Sequence, residues 1–121
     1  HLAIYKQERV ARIPLEMRNK YLLKSRDADR DQVRIVPELR ARVTFRRVNL
    51  MDDFRCDKPM DIIFCRNVII YFDRETQHRL LTRLCDQLRP EGYLFTGHAE
   101  TLGGMSLPLE PVIPMVYRKE L

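Results

Sequence analysis

The chain has 121 residues, 45% of them hydrophobic, which is enough for one core of ordinary size and makes a single domain the expectation. No apolar run approaches the roughly 20 residues a membrane-spanning helix needs, and no signal-peptide pattern opens the chain, so it reads as a soluble protein without membrane insertion. The net charge of +5 is unevenly spread: residues 1–50 carry thirteen Lys or Arg against six acids, and residues 51–121 carry nine against eleven. A basic half of this kind attracts acidic partners, whether a phosphate backbone or a Glu-rich helix, although an ordinary solvated surface shows the same excess. Cys56, Cys65 and Cys85 are odd in number and scattered, which argues against a disulfide framework and fits a reducing cytoplasm.

The chain opens at His1 with neither an initiator Met nor a helix cap, as a segment starting inside a larger protein would. Residues 5–22 read as helix in two pieces, the first with Val10 and Ile13 on its apolar side and the second starting at Pro14. Tyr21–Lys24 and Gln32–Val36 flank a charged connection and read as an antiparallel pair, with Pro37 ending the second strand. Val43–Val48 alternates well enough to be a third strand. Asn49-Leu50 then follows where a strand's carboxyl edge exposes polar atoms, and Asp52–Pro59 is a polar loop.

The stretch Asp61-Ile62-Ile63-Phe64-Cys65-Arg66-Asn67-Val68-Ile69-Ile70-Tyr71-Phe72-Asp73 is the one around which the rest of the chain is organised. Ile62, Ile63 and Phe64 form the continuous apolar run of a parallel strand buried on both faces. Arg66 and Asn67 put a fixed cation and an amide at its end, on the edge where open α/β sheets bind ligands. Val68–Phe72 is a short apolar connection, and Asp73 offers an N-cap oxygen to a helix starting at Arg74. That helix carries Leu80, Leu81, Leu84, Cys85 and Leu88 on one face, and Arg89-Pro90-Glu91-Gly92 stops it. Tyr93–Gly97 is the next buried strand; Gly103 to Pro114 is loop-rich, and Met115–Lys119 closes the chain as an antiparallel edge strand.

The run F-C-R-N-V-I-I-Y-F-D resembles the signature of the CheR-type methyltransferases, which transfer a methyl group from S-adenosyl-L-methionine to glutamates of bacterial chemotaxis receptors. L-R-P-E-G-Y-L-F is similar to a helix-to-strand link common among Rossmann-like methyltransferases. The resemblance implies an α/β, Rossmann-like S-adenosylmethionine-dependent sheet, here partial, with a small antiparallel β subdomain inserted at about residues 21–47. It implies Arg66 and Tyr71 as catalytic residues. It further implies Asn49, the Leu50 backbone, Arg66 and Asn67 on the cofactor, with S-adenosylhomocysteine as product. The cytoplasmic helices of chemotaxis receptors are the implied partners, with no nucleic acid expected. Some family members dock a receptor-tail peptide on the small subdomain by strand addition, but their hairpin loops tend to hold glycines and this one has none. The family's G-H-S-E appears as Gly97-His98-Ala99-Glu100. A histidine and an acid at a strand end are more often structural or solvated, so neither is placed in the site.

The first glycine is Gly92, so the Gly-rich strand-to-helix turn and the ribose-binding acid of such domains are absent from these residues. The resemblance runs from about Ile4 to Tyr117 and covers the later half of the family's catalytic domain. Missing strands would leave an open sheet edge that invites association with another chain. The cysteines and histidines lack paired metal-ligand spacing, so no metal is expected, and Ser25 and Ser106 lack a nucleophile setting. A nucleic-acid methyltransferase is the alternative enzyme, favoured by the basic half, but the strand ends in Arg66-Asn67-Val68-Ile69 and not the N/D-P-P-Y/F pattern of enzymes acting on base nitrogens. A non-catalytic binding module is the third reading.

Overall fold

A computed structural model describes residues 2–27 and 29–121. The chain divides into two compact units, His1–Arg47 and Val48–Leu121. The division coincides with the charge split, because every Lys and Arg of the basic half precedes Val48.

The first unit is built on a three-stranded antiparallel sheet in the order β1 (Ile4–Lys6), β3 (Gln32–Ile35), β2 (Leu22–Lys24). The expected pair forms, with Leu22 opposite Ile35 and Lys24 opposite Val33. The third strand differs from expectation. Ile4–Lys6, of which residues 5 and 6 fall in the expected helix, pairs with the other side of β3, setting Tyr5 opposite Val33. Both edges of β3 are then occupied, and residues 43–48 belong to no helix or sheet, with Val43 and Phe45 exposed. Short helices α1 (Gln7–Val10) and α2 (Leu15–Tyr21) connect β1 to β2. Pro37 starts the one-turn helix α3 (Pro37–Arg40), where its missing N–H costs nothing.

The second unit has one four-stranded mixed sheet, ordered β4 (Met60–Cys65), β5 (Leu88–Thr96), β7 (Val116–Lys119), β6 (Leu109–Ile113). β4 and β5 are parallel, with Ile62 opposite Tyr93 and Cys65 opposite Thr96, and the other pairs are antiparallel. Helix α4 (Arg74–Gln87) makes the crossover between the parallel strands. Asp73 caps it, its carboxylate accepting from the Thr76 amide at 2.8 Å, and that bond holds the Asp73 carboxyl below its ordinary range. At the other end Lys119 Nζ donates to the carbonyls of Cys85 and Leu88 at 2.7 and 2.8 Å, placing a cation at the negative end of the helix dipole.

The core lies between α4 and one face of the sheet, where Leu80, Leu81 and Leu94 are fully buried beside Cys65, Ile69, Leu84, Leu88 and Leu102. The expectation that β4 is buried on both faces fails: Ile63 and Cys65 point into this core, whereas Ile62 and Phe64 are exposed, the latter 69%. A strand alternates sides, and α4 covers only one. Leu88 is the first residue of β5, not the last of the helix, and pairs with Met60. Residues 89–92 then bulge out before the register resumes at Ile62 and Tyr93. Gly92 permits this bulge, since a Cβ there would lie 2.9 Å from the Arg89 carbonyl oxygen and 3.0 Å from that of Asp61. The last strand is not at the edge: β7 lies between β5 and β6, and β6 takes the edge with Pro111 in it.

Replacing Leu81 by Ala removes side-chain volume from the fully buried seam between α4 and the sheet. It should lower unfolding stability by about 2–5 kcal/mol. Val43→Ala, at an exposed position outside any sheet, should stay within about 0.5 kcal/mol. Urea unfolding of the two variants checks both values, and equal losses would contradict this assignment of the core.

Candidate functional site

Two parallel strands side by side bring their carboxyl ends to one edge, and here those ends are Cys65 of β4 and Thr96 of β5. The turn after β4 contains Arg66 and Asn67, both exposed, and then a single 3-10 turn at Ile69–Tyr71. Asn67 has a φ of 59°, the left-handed region that Asn tolerates better than most residues. The turn after β5 is Gly97-His98-Ala99-Glu100, closed by the Glu100 amide donating to the Gly97 carbonyl at 3.1 Å.

Glu100 joins the two turns. Its side chain is buried, with 5% residue exposure, and one carboxylate oxygen accepts from the amides of Val68 at 2.8 Å and Ile69 at 3.0 Å. The other accepts from the Gly97 amide at 2.6 Å. Burial works to raise this carboxyl, but hydrogen bonds from the amides of Gly97, Val68, Asn67 and Ile69 outweigh it and hold the group below its ordinary value. Close approach of the two turns depends on Gly97. A Cβ at that position would lie 2.7 Å from Asn67 Oδ1 and 3.0 Å from both the Asn67 amide nitrogen and Glu100 Oε2.

The 3-10 turn is held at several points. The Ile69 side chain is buried in the core, its amide donates to Glu100, and its carbonyl accepts from Gln77 Nε2 of α4 at 2.7 Å. The same Gln77 nitrogen donates to the Phe72 carbonyl at 3.1 Å. Tyr71, between these anchors, is 77% exposed. Arg74 guanidinium bonds to the carbonyls of Thr101 and Gly103, together with a bond from His78 Nε2 to the Ser106 carbonyl at 3.0 Å, fasten the loop after β5 to α4.

Asn49 and Leu50 occupy a separate turn. Asn49 Oδ1 accepts from the Met51 amide at 3.0 Å, an Asx turn, so the side-chain oxygen is engaged with its own backbone. The Leu50 and Met51 carbonyls accept from Arg83 of α4 at 3.2 and 3.1 Å, and Arg83 also pairs with Asp53 at 3.1 Å. Hydrogen bonds thus tie Asn49-Leu50 to α4, and among the described residues none ties it to Arg66-Asn67. Arg66, Asn67 and Tyr71 share one short segment, and Asn49-Leu50 lies in another turn whose Leu50 packs against the common core.

Cys65, at the end of β4, is no nucleophile here: burial, aided by the Glu100 charge, pushes its thiol up to about 11. A cavity of about 600 Å³ in the first unit is lined by Ala3, Tyr5, Ile35, Leu39, Val43 and Phe45 among others, and by none of the expected site residues. Glu100, left off the site as structural or solvated, is buried and hydrogen-bonded, not solvated. The signal was an acid three residues beyond a glycine that itself ends a strand parallel to the Arg-Asn strand.

The family described as CheR methyltransferase, SAM binding domain, matches residues 1–113. Similar proteins include "Chemotaxis protein methyltransferase 2" of Pseudomonas aeruginosa, 40% identical over 115 residues that cover 94% of this chain and 41% of that protein. "Chemotaxis protein methyltransferase" of Borreliella burgdorferi is 39% identical over 117 residues, 96% of this chain and 40% of that protein. The protein of that name from Escherichia coli is 37% identical over 98 residues, covering 80% and 34%. The chain therefore spans about two fifths or less of the length of these curated relatives. Its α/β content and mixed sheet agree with the partial Rossmann-like fold that the sequence led us to expect. The match over nearly the whole chain places it: it belongs to the CheR methyltransferase, SAM-binding domain family.

Proposed function

We propose that the protein carrying this chain is a protein-glutamate O-methyltransferase. Its reaction is transfer of the methyl group of S-adenosyl-L-methionine to glutamate side chains on the cytoplasmic helices of bacterial chemotaxis receptors. The observation that carries this reading is the family match together with an exposed Arg66, Asn67 and Tyr71 on one anchored segment at the carboxyl end of a parallel strand. The names of the relatives support the substrate class.

The residues present suit one side of the cofactor. The exposed amide of Asn67 and guanidinium of Arg66 offer polar partners at the strand end, and Leu50, in its separate turn with its carbonyl held by Arg83, offers an apolar side chain, as an adenine needs. When bound, S-adenosyl-L-methionine supplies a methyl on a positively charged sulfur, which a carboxylate oxygen can take while the sulfur keeps the bonding pair. Arg66 can hold that carboxylate at two points, and the Tyr71 hydroxyl can fix its tilt. A glutamate, with an ordinary pKa of about 4.3, is already ionised at neutral pH, so no general base is needed. Two bland alternatives lose ground: Tyr71 is 77% exposed and so is not a core aromatic, and among the described residues Arg66 lies in no ion pair. The proposed location is the cytoplasm, and no helix among the described residues is long and apolar enough to cross a membrane.

Tyr71→Phe keeps the ring and loses one hydrogen bond to a charged group, so methyl transfer should fall roughly ten- to a hundredfold with S-adenosylhomocysteine affinity nearly intact. Arg66→Ala should lower both. Calorimetric titration beside a methyl-ester assay reads the two effects, and wild-type turnover in Arg66→Ala would remove this site.

The basic first unit suits an acidic receptor surface. Binding should weaken with salt, because the Debye length shrinks from about 10 Å at 0.1 M to about 3 Å at 1 M. Receptor affinity measured at both salts tests this, and duplex RNA competing as well as receptor would favour a nucleic-acid methyltransferase.

β4 is the terminal strand of its sheet, with Ile62 and Phe64 exposed, so residues 1–121 alone should associate or melt poorly. A monodisperse, cooperatively melting monomer in sedimentation and thermal scans would contradict association through this edge.

A further inference from the structure

We infer that Glu100 is the positioning residue of the site, holding the turn that presents Arg66 and Asn67 in the conformation that binds the cofactor. The inference rests on the methyl-transfer reading and goes beyond it, since Glu100 sits beneath the turn and not among its exposed groups.

The chemistry of the junction requires a carboxylate. Gly97, Val68 and Ile69 direct their amides at one buried carboxylate, and an ionised carboxylate, which only accepts and has about four lone-pair sites, can satisfy all of them. A glutamine of the same length would aim an NH2 donor at one set of donors, and an aspartate is one methylene too short to reach as far. Desolvating a charge is unfavourable, so a neutral acceptor would be the cheaper way to close a loop; the charge strengthens the bonds to the amides that fix the turn. Asn67 occupies the left-handed region at φ 59°, a conformation that persists where its surroundings over-determine it. Here Glu100 holds the amides of the two residues that follow Asn67, Val68 and Ile69, while the lack of a side chain at Gly97 makes room for that of Asn67. The junction also reaches the catalytic candidate: fixing the Ile69 amide fixes one end of the 3-10 turn that carries Tyr71, and Gln77 fixes Ile69 and Phe72 from below.

The test uses Glu100→Gln and Glu100→Asp in the protein that carries this chain. Three quantities are read: amide exchange at Val68 and Ile69 without cofactor, the calorimetric stoichiometry and Kd for S-adenosylhomocysteine, and methyl-ester turnover. Glu100→Gln should exchange these two amides faster, while the core amides of Leu80 and Leu94 stay protected. It should bind at unchanged stoichiometry with Kd raised on the order of tenfold or more, because small misplacements of positioning groups are expensive. Glu100→Asp should fall between Gln and wild type. If Gln prevents folding, Asp alone decides by the same measurements. A wild-type Kd with reduced stoichiometry would mean that Glu100 supports only the folded fraction, and would overturn the inference. So would wild-type Kd and turnover in a variant whose Val68 and Ile69 amides exchange faster. Failure of the wild-type protein to bind S-adenosylhomocysteine would instead overturn the methyl-transfer reading itself, and the exchange data, taken without cofactor, distinguish the two failures.

Discussion

The parallel pairing of β4 with β5 is the constraint on which the second unit depends. Parallel neighbours cannot be joined by a tight turn, so a crossover must pass over one face of the sheet, and α4 is that crossover. Its apolar stripe and the inward residues of the two strands make one core. The same pairing brings the loops after Cys65 and Thr96 to one edge, which is why residues about thirty apart in sequence, Asn67 and Gly97, sit in contact. Core packing and site geometry are therefore two consequences of one register.

The edge so formed is more rigid than its exposed loops suggest. A buried anion meets converging amides, a glycine provides the space, and a glutamine from the helix takes the carbonyls on the other side. Both backbone polar groups of Ile69 are bonded within the unit, so the exposed side chains around it project from a fixed base. Preorganisation of this kind lets functional groups bind without first losing conformational freedom.

The local elements were legible because their signals are local. The helix of α4 is marked by its apolar spacing, by Asp73 before it and by the Pro-Gly pair after it; the run Ile62–Phe64 announces a strand without a neighbour to consult. What the residues alone could not settle was which strand lies beside which. Residues 5–22 read as helix and Val43–Val48 as the third strand, yet Ile4–Lys6 takes the free side of β3, a pairing that only the assembled sheet reveals. Pro111 concealed β6, since a proline argues against a strand unless that strand is at an edge. Burial of one β4 face depends on what covers it, which no pattern within six residues can report. Arg66, Asn67 and Tyr71 stand out by type and place. Glu100 does not, because its importance lies in a distance to a segment thirty residues earlier.

The strand order of the second unit carries a consequence for synthesis. β7 is inserted between β5 and β6, and its Lys119 closes the carbonyl end of α4. A nascent chain emerging from the ribosome through β6 holds a helix whose last carbonyls lack the Lys119 cation, although the Leu88 amide already caps Leu84 and Cys85, and a β5 without its β7 neighbour. In the finished sheet β6 reaches β5 only through β7, so any earlier pairing of the two would have to be undone. The unit thus closes only when residues 116–119 clear the exit tunnel, and until then β5 is an open template for any extended segment nearby.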